Sequence, residues 1–263
     1  MERQGWVLPK RLDGAEEARS RASSPLACTH PFAPPLRGGE ATASCGLMLL
    51  SDRILFIDAE ALVLDKPAGL PVDAPRRSGD SIAQRIDELK CGFQRPPTAM
   101  HRLDTDTSGC LLFARTAKAR ATFQHAFERR AVEKFYLAVV AGEIAEEHGV
   151  IDLPLAKTSS AEAGWRMIAD QHGLEATTHW RRLAVREGST LVEFRPLTGR
   201  THQIRAHARE AFGRGIVGDR VYGIPGGPML LHASRLVVPR GAKPTIDVTA
   251  PLPEHFGEWR DAA

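Results

Sequence analysis

A chain of 263 residues, 43% of them hydrophobic, is long enough for one substantial core, organised as one large domain or two small ones. Its formal charge of +3 and pI near 8.8 exclude a strongly basic coat for nucleic acid, so any polyanion site must come from where the charges lie. Cys28, Cys45, Cys91 and Cys110 stand far apart without a C-x-x-C pair, the start MERQGWVLPKRL lacks a secretory pattern, and no apolar run reaches about 18 residues, which together predict a cytoplasmic protein without a zinc module or membrane span.

Residues 1 to 50 mix Pro, Gly, Ser and Ala with charges of both signs and show no periodicity, so they read as a disordered tail or an over-long start before Met48. The patterned region, 51 to 260, is expected to form one catalytic domain with no separate amino-terminal binding module. It opens with a hairpin: Ile54 to Ile57, a turn at Asp58-Ala-Glu60, then Leu62 to Leu64 closing on Lys66-Pro-Ala-Gly69. Asp80 fits an N-cap for a helix with Ile82, Ile86 and Leu89 on one face. A second helix is predicted over 116 to 130, with Ala119, Phe123 and Phe127 inward and Lys118, Arg120, Arg129 and Arg130 polar. Phe135 to Val140, Leu191 to Phe194 and Leu230 to His232 read as strands of a mainly antiparallel sheet, which makes the class α+β.

Between the two helices lies HRLDTDTSG, 101 to 109, with Asp104 and Asp106 beside Arg102. A carboxylate held next to a guanidinium has its charged form favoured, as a nucleophile requires. An Asx-type turn stabilised by Thr105, Thr107 and Ser108 explains the same spacing. The stretch RPLTGRTHQIRAHAR, 195 to 209, ends a strand, turns at Thr198-Gly199 and starts a helix near Thr201 that carries Arg205 and Arg209 one turn apart. Six arginines stand between 195 and 220 against Glu210 and Asp219, a pattern that serves either phosphate binding or a solvated face. His202 and His207, five apart, do not form the i, i+4 ligand pair of a helix, and a packed imidazole is the commoner role. Gly213-Arg-Gly-Ile-Val-Gly218 matches G-x-G-x-x-G but follows a helical pattern instead of a strand, so it reads as a helix stop.

Taken in order, LDKPAG at 64 to 69, HRLDTDTSG, KFYLAVVAG at 134 to 142 and RPLTGRTHQIRAH at 195 to 207 resemble the RluA-type pseudouridine synthases. IDLPL at 151 to 155, GDRVYG at 218 to 223 and LLHA at 230 to 233 extend the resemblance to about 51 to 255. It implies a pseudouridine synthase catalytic fold with flanking helices and a central basic cleft. The activity implied is isomerisation of uridine in ribosomal or transfer RNA, with no cofactor and no metal, by a monomer that binds an RNA stem-loop. Asp104 would be the nucleophile, attacking the sugar C1′ or the uracil C6 or assisting a glycal route. Tyr136 would stack on the uracil near C5, Arg205 would pair with Asp104, and Arg102 would fill the space left by an everted base. Lys66, Arg200 and His202 follow as residues that orient the site or contact RNA, while His101 supports the loop. One departure is Gly173-Leu-Glu-Ala-Thr-Thr178, where Leu174 stands in place of a basic residue common in the family. An inactive RNA-remodelling protein on the same scaffold is the alternative function. A glycosidase using Asp104 and Asp106 as a carboxylate pair is a third, although acids so close along the chain seldom flank a sugar.

Overall fold

The computed structural model describes residues 48–74, 79–160 and 164–262, so the tail expected over 1 to 50 lies almost wholly outside the described residues. Its strands, in chain order, are β1 (Ile54–Ile57), β2 (Ala61–Lys66), β3 (Thr98–Ala99), β4 (Ser108–Ala114), β5 (Glu133–Ala141), β6 (His148–Asp152), β7 (Leu155–Ser160), β8 (Gly164–Ala169), β9 (Thr177–Arg186), β10 (Ser189–Pro196), β11 (Leu231–Arg240) and β12 (Lys243–Thr249). Among the described residues two α-helices accompany them, α1 (Ala117–Glu128) and α2 (Gln203–Phe212). The main sheet runs β1-β2-β4-β11-β5-β10-β9-β6, with β12 paired to β11 and β3 to β4, while β7 and β8 form a hairpin of their own. Every pairing is antiparallel except β4 with β11.

The alternation of side chains along β2 and β4 explains why helices cover both faces of the sheet. Ala61 and Val63 pair with Ala114 and Leu112 on one face, where Ala119, Phe123 and Ala126 of α1 close the core. Leu62 and Leu64 pair with Phe113 and Leu111 on the other, joined by Tyr136, Phe194 and the α2 residues Ile204 and Ala208. Burial on both faces leaves β4 without a polar alternation, which is why SGCLLFA carries no strand period in the sequence. Thr116 caps α1 by accepting from the Ala119 amide, as a Thr at that position should. Ala126 replaces Phe127 as the third buried residue of α1; Phe127 is half-buried against the same core and also lines the cleft described below.

The helix expected from Asp80 does not form. The amides of Ile82 and Ala83 donate to the carbonyls of Pro71 and Val72 in a neighbouring loop, and the segment forms only a single turn of 3₁₀ helix, at Ile86–Leu89. Ile82 and Leu89 are buried nevertheless. The helix expected from Thr201 starts at Gln203, after His202 in a left-handed conformation at φ 52°. It ends at Gly213, φ 66°, in agreement with the helix-stop reading of the glycine motif.

The parallel contact of β4 with β11 fixes the base of the Asp104 loop. His232 pairs with Ser108 and Ala233 with Gly109, where a Cβ on Gly109 would stand 2.2 Å from the Ala233 carbonyl oxygen. Gly109 also has φ 103°, so any side chain there brings both a clash with backbone and a strained conformation. Gly109→Ala should therefore cost about 3 kcal/mol or more in stability, measured by urea unfolding. A loss below about 1 kcal/mol would show that the two strands can separate without penalty.

Candidate active site

The HRLDTDTSG segment is a tight loop fastened from behind. The Thr107 amide donates to the Asp104 carbonyl, the Gly69 amide to the Thr105 carbonyl, and the Leu112 amide to Nε2 of His101 at 3.1 Å. Burial, followed by the nearby charge of Lys134, pushes the His101 imidazole down to about 3, so it is a neutral acceptor that supports the loop. Lys66 ends β2 and is fully buried, with its ammonium donating to the carbonyls of Pro67 at 2.8 Å, Leu70 at 2.7 Å and Thr105 at 2.9 Å. Burial pushes this lysine down to about 7, against the opposing pull of Asp106, Asp104 and Asp65. Of the two expectations for Lys66, orienting the site or contacting RNA, the three carbonyl bonds favour the first, because its donors are engaged inside the protein.

Opposite the loop, the turn 198 to 203 is knitted by Gln203. Its Oε1 accepts from the Arg200 amide and the Thr198 hydroxyl, and its Nε2 donates to the Thr177 carbonyl and the Thr178 hydroxyl. This holds α2 so that Arg205, one turn in, points at the Asp104 loop. Arg205 Nη1 donates to Asp104 Oδ2 at 2.9 Å, while its Nε and Nη2 grip both carboxylate oxygens of the fully buried Asp219 at 2.7 and 2.8 Å. Burial raises the cost of the Arg205 charge, but Asp219 and then Asp104 outweigh it and push the guanidinium above its ordinary value. The Asp219 carboxyl, desolvated but hydrogen-bonded by Arg205 and by the amides of Val221 and Tyr222, is held below its usual range.

These groups face a cavity of about 530 Å³ whose wall includes Asp104, Tyr136, Lys134, Arg205, His202 and Arg102. Tyr136 is buried on β5, and burial together with the negative charge of Asp104 pushes its phenol well above the usual value, so the ring presents a neutral hydroxyl. Lys134, two residues earlier, donates to the Thr198 carbonyl, and burial pushes its ammonium down to about 8. Arg102 lies at the mouth, highly exposed, in a 3.1 Å pair with Asp73. Arg200 lines the cavity and donates from Nε to the Glu175 carbonyl, which uses one donor of its fork and leaves the rest. His202 stands with Nε2 3.9 Å from Asp104 Oδ2 and Nδ1 3.1 Å from the Tyr222 hydroxyl. Asp106 is exposed and does not line the cavity.

The basic run of 195 to 220 is not a continuous stripe. Arg195 pairs with Glu133, Arg205 with the two aspartates, and Arg209 donates to the Gly213 carbonyl at the end of α2. His207 is a packed imidazole between the Thr178 hydroxyl and the Leu153 carbonyl. Three contributors escaped the sequence reading: Asp219, Lys134 and Tyr222. Asp219 appeared there only as a countercharge, although its place in GDRVYG, next to a turn that closes on it, was the available signal.

The model of the family described as RNA pseudouridylate synthase matches residues 60–210. An uncharacterized RNA pseudouridine synthase of Zymomonas mobilis is 48% identical over 212 residues, covering 79% of this chain and 97% of that protein. The dual-specificity RNA pseudouridine synthase RluA of Yersinia pestis is 34% identical over 198 residues, covering 70% and 91%. The chain belongs to the RluA-type RNA pseudouridine synthases. Among solved structures, human RNA pseudouridylate synthase domain containing 4 superposes with a TM-score of 0.67 at 25% identity, covering 79% of this chain and 91% of that one. Against ribosomal large subunit pseudouridine synthase D of Zymomonas mobilis the identity is 34%, and the match spans 55% of that protein's length. This enzyme therefore isomerises uridine in RNA to pseudouridine, on a mixed, mainly antiparallel fold.

The fastening role of Lys66 has a direct test. Lys66→Met removes one ammonium and strands three carbonyls, so unfolding in urea should show a loss on the order of 3 kcal/mol, with activity falling alongside. A variant as stable as the parent would mean that the loop is held by other contacts.

Proposed function

We propose that this enzyme modifies a ribosomal or transfer RNA stem-loop in the cytoplasm, acting as a monomer through one catalytic domain spanning 51 to 260, with Asp104 as its nucleophile. The observation that supports this most is the 2.9 Å contact of Arg205 with Asp104 Oδ2 inside a cavity that also contains Tyr136. Arg205 occupies one carboxylate oxygen and leaves Oδ1 for the substrate, so the acid is aimed before uridine arrives.

Isomerisation breaks the N1 to C1′ bond, turns the uracil and joins C5 to C1′, with the C5 proton removed at the end. A carboxylate can hold the substrate covalently or steady the developing charge while the base turns. Tyr136 offers a flat ring for the uracil and a neutral hydroxyl near C5. The target base must leave its helix to reach Asp104, and Arg102 at the mouth is placed to take the vacated stack with its planar guanidinium. Arg200 and His202 border the same opening and supply further donors to the RNA. The named relatives support this range of targets: one is called dual-specificity, and others are ribosomal large subunit enzymes.

The complete set of Asp104, Tyr136 and Arg205 speaks against an inactive remodelling protein. Asp106, exposed outside the cavity, speaks against a carboxylate-pair glycosidase.

Asp104→Ala should lower pseudouridine formation by on the order of a thousandfold or more while RNA binding persists, read by mapping pseudouridines in RNA from cells lacking the gene after incubation with each variant. Asp106→Asn should leave turnover within a few-fold. Equal loss from both changes would reject Asp104 as the single nucleophile.

Lys134 adds a pH dependence. With its pKa at about 8 the ammonium is charged at pH 7 and neutral at pH 9, so the cleft loses one positive charge as pH rises. The slope of log affinity against log salt, measured with total RNA from cells lacking the gene, should shrink by about one between pH 7 and 9, and Lys134→Met should remove that change. An identical slope at both pH values would show that Lys134 does not face the phosphates.

A further inference from the structure

The β7–β8 hairpin takes no part in the main sheet, yet it is anchored to the catalytic machinery. The Met167 amide donates to the Tyr222 hydroxyl at 2.7 Å, and Leu155 and Met167 pack with Ala206 of α2 and Tyr222. Cross-strand register places Ser159 opposite Trp165 and Lys157 opposite Met167, so Trp165 and Lys157 share the face that Met167 turns toward α2. Met167 is buried there, whereas Trp165, nearer the hairpin tip, keeps 45% of its surface exposed.

The indole is not loose. It stacks on the His202 imidazole with centroids 4.7 Å apart and planes at 25°, and Lys157 Nζ lies 5.4 Å from its centroid. His202 in turn stands 3.9 Å from Asp104 Oδ2 and meets the edge of the Tyr222 ring. A large aromatic side chain therefore stacks on a cleft-lining imidazole that stands 3.9 Å from the Asp104 carboxylate, with a lysine ammonium over its ring. Half-exposed aromatic surface that is rigidly held and flanked by a flexible cation suits a nucleobase and its phosphate. An indole needed only to cover His202 would gain by being buried further.

We propose that Trp165 is a stacking platform for the base of an RNA nucleotide adjacent to the uridine being isomerised, with Lys157 beside that nucleotide's phosphate. The inference rests on the RNA isomerase function and adds a binding subsite to it. Once the target base is everted, its neighbour loses a stacking partner. An aromatic plane at the rim replaces that partner, and it does so for any base because every base offers a π-face.

The test uses initial rates of pseudouridine formation in total RNA from cells lacking the gene, followed over a range of RNA concentrations. Trp165→Ala should raise KM by about tenfold with kcat kept within about twofold, because stacking contributes to holding the RNA and not to the bond changes. Trp165→Phe, which keeps a ring, should recover most of the affinity. Lys157→Gln should raise KM by a smaller factor and reduce the salt slope by about one, whereas Trp165→Ala should leave that slope unchanged. An unchanged KM in Trp165→Ala overturns the platform. So does a fall in kcat without a rise in KM, which would make the indole a prop for His202. Absence of turnover by the unaltered enzyme would instead reject the isomerase reading itself.

Discussion

The site depends on one guanidinium held between two carboxylates. Arg205 is fixed by a bidentate grip on Asp219, whose Oδ1 also accepts two backbone amides, and its Nη1 meets Asp104. Burying Arg205 and Asp219, with Asp104 half-buried beside them, costs desolvation energy that the attraction between the charges only partly offsets. What the arrangement supplies is direction. The fork ties α2, the 218 to 223 turn and the Asp104 loop into one unit, and a lysine in its place, as a single point charge, would not span both partners.

That rigidity continues backward through neutral or consumed groups. Lys66 spends its ammonium on three carbonyls, His101 accepts from the Leu112 amide, and Gly109 admits the close parallel approach of β11. Each is unusual in its own type: a fully buried lysine, an imidazole that stays neutral, a glycine in a strand. They gather behind the single loop that carries Asp104, which on the proposed reading must be aimed from a backbone that cannot relax.

The candidate site was more legible in the sequence than the scaffold. Asp104, Tyr136 and Arg205 sit in short local motifs, and the structure brings all three to one cavity. The hairpin at 54 to 66 was legible from two apolar runs around a turn, and helix α1 from its apolar face. The helix expected after Asp80 is replaced by a segment tied to the Pro71 and Val72 carbonyls, and its apolar spacing is met instead by burial of Ile82 and Leu89 around one turn of 3₁₀ helix, which local periodicity does not distinguish. Strand β4 was hidden by burial on both faces, and β7 to β9 by their many half-exposed residues. The arginine run shows the same limit. A tally of charges cannot tell that Arg195 and Arg205 already have carboxylate partners, because those partners lie on other elements.

Arg102 and Arg205 illustrate opposite uses of one side chain. Arg205 is buried and multiply bonded, so releasing it would expose two unpaired carboxylates, and it is expected to stay in place throughout the reaction. Arg102 is held by a single exposed pair with Asp73, an interaction that contributes at most about 1 kcal/mol in water. On the proposed reading, RNA phosphates displace that carboxylate at little cost, and the guanidinium enters the duplex as the uridine leaves it. The enzyme thus separates its two electrostatic tasks by solvent exposure. The dry arginine fixes the nucleophile before binding, and the wet one is free to move when the substrate arrives.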